Sequence, residues 1–384
     1  PDEPLIIRFD YFFVNRGDEV FKYPHSSGTK RSLSYPYRTL IPSPINLFSS
    51  QAVQQESSII PQFRNTSKED TGYVGLQNQG ATCYMNSLLQ SLYNIPSFRR
   101  IVYNIPLTGT EDINTCFPLC MQRLFAKMQF SDTPCSTKEL TTSFGWNDRE
   151  TFTQHDVQEF CTVLLDKLSE KLRGTPLENS LPNFLSGEFK SYIRCINVEF
   201  ESSKVETFFD LSMVVQGIPN LQESFCKYIE SEQLNGNNQY RTDEFGLQDA
   251  LMGTEFIKFP PVLHLHLRRF QFDYNTLRMT KINDKFVFPT SIDLKPYIVD
   301  SKEEEDYTYD LYGVLVHNGR IGGGHYYAYL RTSTRPQWYK FNDSHVTKAT
   351  VEEAVNDNFG GYNSIDVEKT YSAYMLIYIR RSES

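Results

Sequence analysis

The chain has 384 residues, 39% hydrophobic and 22% charged, with a formal net charge of -9. That length can bury a large core and points to two or three domains or subdomains, while the acidic balance speaks against general nucleic-acid binding and mildly favours a basic partner. No stretch approaches the roughly 18 apolar residues of a membrane span, and the polar, proline-bearing start is not a signal peptide.

Residues 1 to about 70 stand apart. Seven of the 19 prolines lie in the first 61 positions, beside serine-rich stretches such as "HSSGTKRSLS", so this part is expected to be irregular or the end of a preceding domain. Only "LIIRFDYFFV" (5–14) has strand character, and a chain beginning at Pro1 reads as a fragment of a longer one. In "VGLQNQGATCYMNSLLQSL" (74–92), Met85, Leu88, Leu89 and Leu92 recur at helical spacing, and Pro96 ends the run. Cys83 then falls at or near a helix N-terminus, where the dipole and free N–H groups favour a thiolate. An isolated cysteine is more often a small buried hydrophobe, so a nucleophilic reading needs a base.

Helical patterns run to about residue 175 and include "DVQEFCTVLLDKLSEKL" (156–172), with Val157, Phe160, Val163, Leu164 and Leu168 on one face. From about 188 the period becomes two: Ile196, Val198 and Phe200, then Phe209, Leu211, Met213 and Val215, with "ESSK" as the turn between two strands. Further strands are expected at "PVLHLHLRRF", "YDLYGVLVH", "HYYAYLR", "QWYKFND" and "AYMLIYIRR". The acidic run Glu303, Glu304, Glu305, Asp306 reads as a solvated loop. The fold class is α+β, a helical first part followed by an antiparallel sheet.

Cysteines at 83, 116, 120, 135, 161, 195 and 226 form no Cys-x-x-Cys pair. An odd, scattered set reads as reduced thiols of a cytosolic or nuclear protein, without a disulfide framework or a zinc site.

Among the seven histidines, His325 has distinctive surroundings. Gly322, Gly323 and Gly324 precede it, allowing close backbone approach, and an alternating strand follows. If that strand pairs with "QWYKFND" around "TSTRP", His325 lies opposite Asp343, with Asn342 one step away. An imidazole facing an Asn/Asp pair is what a base and its orienter require, but a register good to one or two residues leaves open which of the two serves. His264 and His266 share a strand face that reads as half-exposed; His155 reads as a capping or surface residue, His317 as a strand-end residue and His345 as a loop residue.

These motifs are familiar together. "GLQNQGATCYMNSLLQSL" resembles the cysteine box of the ubiquitin-specific proteases, and "YDLYGVLVHNGRIGGGHYYAYLR" with "QWYKFNDSHVT" resembles their histidine box. "FGWNDRETFTQHDVQEF", "HLHLRRFQFDYN", "KINDKFVFP" and "YSAYMLIYIRR" are similar to the herpesvirus-associated branch of that family and its plant relatives. The match runs from about Thr71 to Arg381.

The resemblance implies a papain-like core with a thumb (about 71–185), fingers (about 186–260) and a palm (about 261–384), and a deubiquitinase that cleaves after the C-terminal glycine of ubiquitin. Cys83 is then the nucleophile, His325 the base, and Asn342 the third triad position, with Asp343 adding negative charge beside it. Asn78 matches the oxyanion-hole side chain. Gln154, Asp156 and Glu159 of "QHDVQE" match the segment that holds ubiquitin's arginine-bearing tail; favourable charge in a helix's first turn is the plainer reading of the two acids. Tyr326 matches a tail-lining aromatic and His264 a cleft position. Trp146 would anchor a loop that rearranges around the site.

Many family members carry paired cysteines that bind zinc in the fingers; here Cys195 stands alone, so neither metal nor cofactor is expected. Ubiquitin and ubiquitinated proteins are the expected partners of a monomeric catalytic domain, with no nucleic acid and no membrane. Two other readings are weighed: a catalytically silent ubiquitin-binding module, and a papain-like peptidase acting on unfolded peptides. Competent residues at every triad position speak against the first, and reduced cysteines against a secreted form of the second.

Overall fold

A computed structural model describes residues 67–112, 114–145, 156–273, 277–299, 305–332, 337–362, 365 and 367–383. The chain divides into two units, Pro1–Phe63 and Arg64–Ser384, and every described residue belongs to the second. Residues 1–66, including the expected strand at 5–14, lie outside the description, as do Trp146, Gln154 and His155.

The first part is helical: α1 Ser67–Thr71, α2 Cys83–Tyr93, α3 Pro96–Tyr103, α4 Phe117–Phe130, α5 Lys138–Ser143, α6 Val157–Leu172 and α7 Ser180–Leu185. The expected apolar face of α2 is there, with Met85, Leu88, Leu89 and Leu92 fully buried, but the helix is buried all round. Several of its polar side chains are therefore bonded internally. Ser87 and Ser91 hydroxyls donate to the carbonyls of Tyr84 (2.8 Å) and Leu88 (2.7 Å), and the Gln90 amide donates to Val74 O at 2.8 Å. In α6, Val157, Phe160, Leu164 and Leu168 face inward as the periodicity predicts; Val163 does not, and is 39% exposed.

Four strands, β1 Gly187–Cys195, β2 Glu201–Phe208, β4 Glu232–Leu234 and β7 Ala250–Lys258, form one antiparallel sheet in the order β2-β1-β7-β4. A hairpin forms here, but as β1 with β2; the expected second strand, 209–215, falls largely in Asp210–Met213, which belongs to the larger sheet. "ESSK" lies in β2, and Ile196, Val198 and Phe200 lie between the strands. Ion pairs accompany that register: Arg194 pairs with Glu201 across the hairpin, Nε to Oε2 at 2.8 Å, and Lys190 on β1 reaches Glu255 on the other neighbour, β7, at 2.7 Å. A small hairpin, β5 Tyr240–Thr242 with β6 Gly246–Gln248, lies between β4 and β7 in sequence.

The larger sheet has the order β15-β14-β13-β12-β16-β8-β3, with β11 added on β12. Its strands are β3 Asp210–Met213, β8 Val262–Leu267, β11 Ser291–Asp293, β12 Thr308–Arg320, β13 Gly323–Arg331, β14 Trp338–Asn342, β15 His345–Ala349 and β16 Tyr371–Arg380. Every pairing in it is antiparallel except β3 with β8. Leu263, Leu265, Leu267, Val314, Val316, Leu376 and Tyr378 join Phe225 of α8 (Leu221–Ile229) in one buried cluster; full burial of such side chains stabilises by ~1.5–3 kcal/mol each. A hairpin of β9 Phe270–Asp273 and β10 Arg278–Lys281 follows β8, and the short α9 Val351–Ala354 follows β15.

Arg269, at the start of that hairpin, is fully buried and bonds carbonyls only: Ala373 from Nε (2.8 Å), Ile282 and Asp284 from Nη1 (3.0 and 2.9 Å), and Phe359 from Nη2 (3.1 Å). One guanidinium thus fastens three separate segments, at the cost of burial, which pushes its pKa down to about 10.

Candidate active site

Cys83 is the first residue of α2 and is 3% exposed. The first backbone bond of this helix runs from Asn86 N to Thr82 O (3.0 Å), so the N–H groups of Cys83, Tyr84 and Met85 have no partner within it. The approach to the helix is braced. Leu76 N donates to Asp343 O (2.9 Å), and Gln77 N and Cys135 N exchange bonds with Cys135 O and Gly75 O at 2.9 and 3.0 Å. Asn78 then folds back through an Asx turn, its Oδ1 accepting from Gly80 N (2.9 Å) and Thr82 N (3.2 Å).

The β12–β13 hairpin brings His325 to this helix end. His325 pairs with Asn318, and the hairpin closes between Arg320 and Gly323 with Gly322 at φ 74°. Gly324 has no room for a side chain, since a Cβ there would stand 2.3 Å from His317 Nε2 and 2.8 Å from Asn318 O. The imidazole Nε2 lies 2.6 Å from Asn342 Oδ1 and 3.9 Å from Asp343 Oδ2. A hydrogen bond with the Cys83 side chain lifts its pKa to about 9 against the effect of burial, helped by the Asn342 bond and the charge of Asp343. Because Asn342 takes Nε2, Nδ1 is the nitrogen left for the thiol. The backbone N–H of Tyr326 also points at Cys83, donating to Sγ at 3.4 Å.

The strand register explains which of the Asn/Asp pair faces the base. Ala328 pairs with Phe341 and Tyr329 with Lys340, one residue away from the register expected in the sequence. A shift of one exchanges the faces of a strand, so Asn342 falls on the His325 side, and Asp343 enters the turn after β14 with φ 48°.

Asp343 instead holds the other half of the site. Its Oδ2 accepts from the Asn78 amide (3.0 Å) and its Oδ1 from the Asn86 amide (2.8 Å). Asn86, which also donates to Gln77 O at 3.3 Å, was not among the sequence candidates. Its signal was present: it stands one helical turn after Cys83, a polar residue on a buried helix.

The remaining candidates divide. Asp156 caps α6, its Oδ1 accepting from Gln158 N at 2.8 Å, and its Oδ2 accepts from the Tyr374 hydroxyl. Glu159 is exposed in the first turn of α6. Tyr326 is 2% exposed, with its ring centroid 4.7 Å from that of His317 and 5.6 Å from that of Tyr374. His264 does not line a cleft. It is fully buried with neither ring nitrogen bonded, because β8 lies inside the sheet between β16 and β3 and α7 packs over it. His266, farther along the same face, is the half-buried one, facing Tyr374 at 5.0 Å between centroids; burial lowers its pKa, against the charges of Asp156 and Asp210.

This geometry coincides with a family match. The family model described as "Ubiquitin carboxyl-terminal hydrolase" matches residues 74–378, which include every residue of the site. The chain belongs to the ubiquitin carboxyl-terminal hydrolase family. Ubiquitin carboxyl-terminal hydrolase 15 of Saccharomyces cerevisiae is 46% identical to it over 342 residues, covering 83% of this chain and 28% of the yeast protein. Ubiquitin C-terminal hydrolase 12 of Arabidopsis thaliana is 45% identical over 335 residues, 83% of this chain and 30% of the plant one. Ubiquitin carboxyl-terminal hydrolase 7 of Drosophila melanogaster is 47% identical over 319 residues, 83% and 28% of the two chains. The chain spans less than a third of the length of these hydrolases. The herpesvirus-associated branch and the plant relatives expected from the motifs are both represented among them.

Proposed function

We propose that this chain is a thiol-dependent deubiquitinase, hydrolysing the isopeptide or peptide bond after the C-terminal glycine of ubiquitin. The observation that carries the reading is the Cys83–His325–Asn342 constellation, in which His325 Nε2 lies 2.6 Å from an amide oxygen and the backbone N–H of the next residue, Tyr326, donates to the helix-end Cys83 Sγ at 3.4 Å. In this reading the helices up to about residue 185 form a thumb, the four-stranded sheet the fingers and the large sheet a palm, as in a papain-like core.

The Cys83 thiolate, paired with the His325 imidazolium, attacks the carbonyl carbon of the terminal glycine. The oxyanion is met by the Cys83 N–H and by the Asn78 amide, whose second hydrogen stays available while the first is given to Asp343. As the intermediate collapses, the carbon–nitrogen bond breaks and His325 passes its proton to the departing lysine amine. A thioester remains. His325 then takes a proton from water, hydroxide adds to the thioester carbonyl, and ubiquitin leaves with a free carboxylate while Sγ regains its proton. Asn342 keeps Nε2 engaged, so Nδ1 carries every proton moved. Asp156, Glu159 and Gln154 are proposed to hold the basic tail, with Tyr326 beside it. Work in the cytosol or nucleus fits seven cysteines outside any disulfide.

The test is turnover of a ubiquitin carrying a fluorogenic C-terminal amide. Cys83→Ala should abolish it; turnover undiminished in that variant would overturn the mechanism, and binding without turnover by the reduced parent would favour a silent ubiquitin-binding module.

A further inference from the structure

A half-buried lysine stands behind the strand that pairs with the His325 strand. β12 runs past the end of its neighbour β16, whose pairing stops at Asn318 with Tyr371. Around that point β12 carbonyls also take donors from outside the sheet. Lys281, the last residue of β10, supplies them: its Nζ donates to His317 O (3.1 Å), Gly319 O (3.1 Å) and Thr370 O (2.8 Å). Gly319 N donates to the same Thr370 O at 2.9 Å, so one carbonyl locks both the strand and the lysine. The two β12 carbonyls flank Asn318, and Asn318 is the residue paired with His325.

An ammonium held by carbonyls alone is costly to bury. Among the described residues no carboxylate comes within ion-pair distance of Lys281, and burial together with the nearby Arg269 pulls its pKa down to about 8. Packing of the β10 sheet does not require a charge there, since Phe270, its cross-strand partner, already seats the hairpin against His317 with ring centroids 5.2 Å apart.

We propose that Lys281 is a positioning residue for the base: by completing the carbonyls on either side of Asn318, it sets the tip of the β12–β13 hairpin and so the distance between His325 and Cys83. This rests on the hydrolase reading, and it predicts an effect on chemistry rather than on ubiquitin binding. A displacement near 1 Å at a reacting pair costs ~10²-fold in rate.

The experiment compares the parent with Lys281→Met and Lys281→Arg in three readouts. These are turnover of the ubiquitin amide, alkylation of Cys83 by iodoacetamide at pH 6.5 followed on the Cys83 peptide, and ubiquitin affinity in a Cys83→Ala background. Lys281→Met should lose about 10²-fold in kcat and about tenfold in alkylation rate, with affinity within about threefold of the parent. Lys281→Arg, which keeps the charge and the donors, should sit between them. Turnover and alkylation within about twofold of the parent would overturn the proposal, as would a loss carried entirely by affinity. Should Lys281→Met fail to fold, Lys281→Gln carries the same comparison. A parent that alkylates readily at pH 6.5 yet ignores ubiquitin would overturn the substrate reading alone; the alkylation series would still decide the role of Lys281.

Discussion

The Asp343 carboxylate accepts the Asn78 amide at 3.0 Å, while its distance to the His325 imidazole is 3.9 Å. The residue after Asn342 is therefore coupled first to the candidate oxyanion donor and only second to the candidate base. With its other oxygen on Asn86, it ties the turn after β14 to both sides of the helix that begins at Cys83.

Asp343 and Asn78 should accordingly fail together. Asn78→Ala is expected to lower kcat by ~10²-fold or more, the usual cost of one oxyanion donor. Asp343→Ala should cost a similar amount in the parent and far less in the Asn78→Ala background, because its main route of action is then already gone. Fully additive losses in a double-mutant cycle would show that Asp343 works through His325 instead.

Turnover should fall as pH rises through about 9, where His325 loses the proton it must give to the leaving amine. A histidine whose folded pKa is raised adds stability that is complete below its unfolded value of about 6.5 and disappears through the folded one. The stability difference between the parent and His325→Ala should therefore be constant below about pH 6.5 and vanish by about pH 9. Asn342→Ala removes one of the raising contacts and should move the alkaline limb of turnover to lower pH.

His264 has the opposite sign. Burial holds its pKa down to about 4, so between about 6.5 and 4 the unfolded chain binds the proton more readily than the folded one. Stability is lost as pH falls through that window, by about 2 kcal/mol at pH 5 from this residue. Denaturant melts of His264→Leu should show a correspondingly smaller drop between pH 7 and pH 5; an unchanged drop would assign the acid sensitivity elsewhere.

Gly75→Ala tests the seam between the two halves of the site. A Cβ at this position would lie 2.4 Å from the Ser344 carbonyl carbon and oxygen, backbone that has no cheap way to move. Loss of ~1–3 kcal/mol of stability is expected, as for other overpacked positions, with a larger proportional loss of turnover because Asp343 is displaced with its neighbour. Stability and turnover both unchanged would mean that the seam opens freely.

Much of the site was legible in the sequence because its signals are local. The helix after Cys83 shows itself by Met85, Leu88, Leu89 and Leu92, and three glycines mark the approach to His325. What depends on pairing was not. A hairpin register one residue out moved Asp343 onto the face that Asn342 occupies. Alternation made His264 look half-exposed, yet β8 lies inside the sheet with α7 packed on it, which buries His264 and leaves His266 half-buried. The carbonyls gathered by Lys281 and Arg269 join residues distant in sequence, where no periodicity records them.

The most direct measurement is intact-mass detection of the adduct between this chain and ubiquitin bearing a thiol-reactive group at its C-terminus. The account predicts one ubiquitin added to the parent, attached at Cys83, and none added to Cys83→Ala or, at the same exposure, to His325→Ala. An adduct formed equally by Cys83→Ala, or a folded and reduced parent that binds ubiquitin and never reacts, would contradict it.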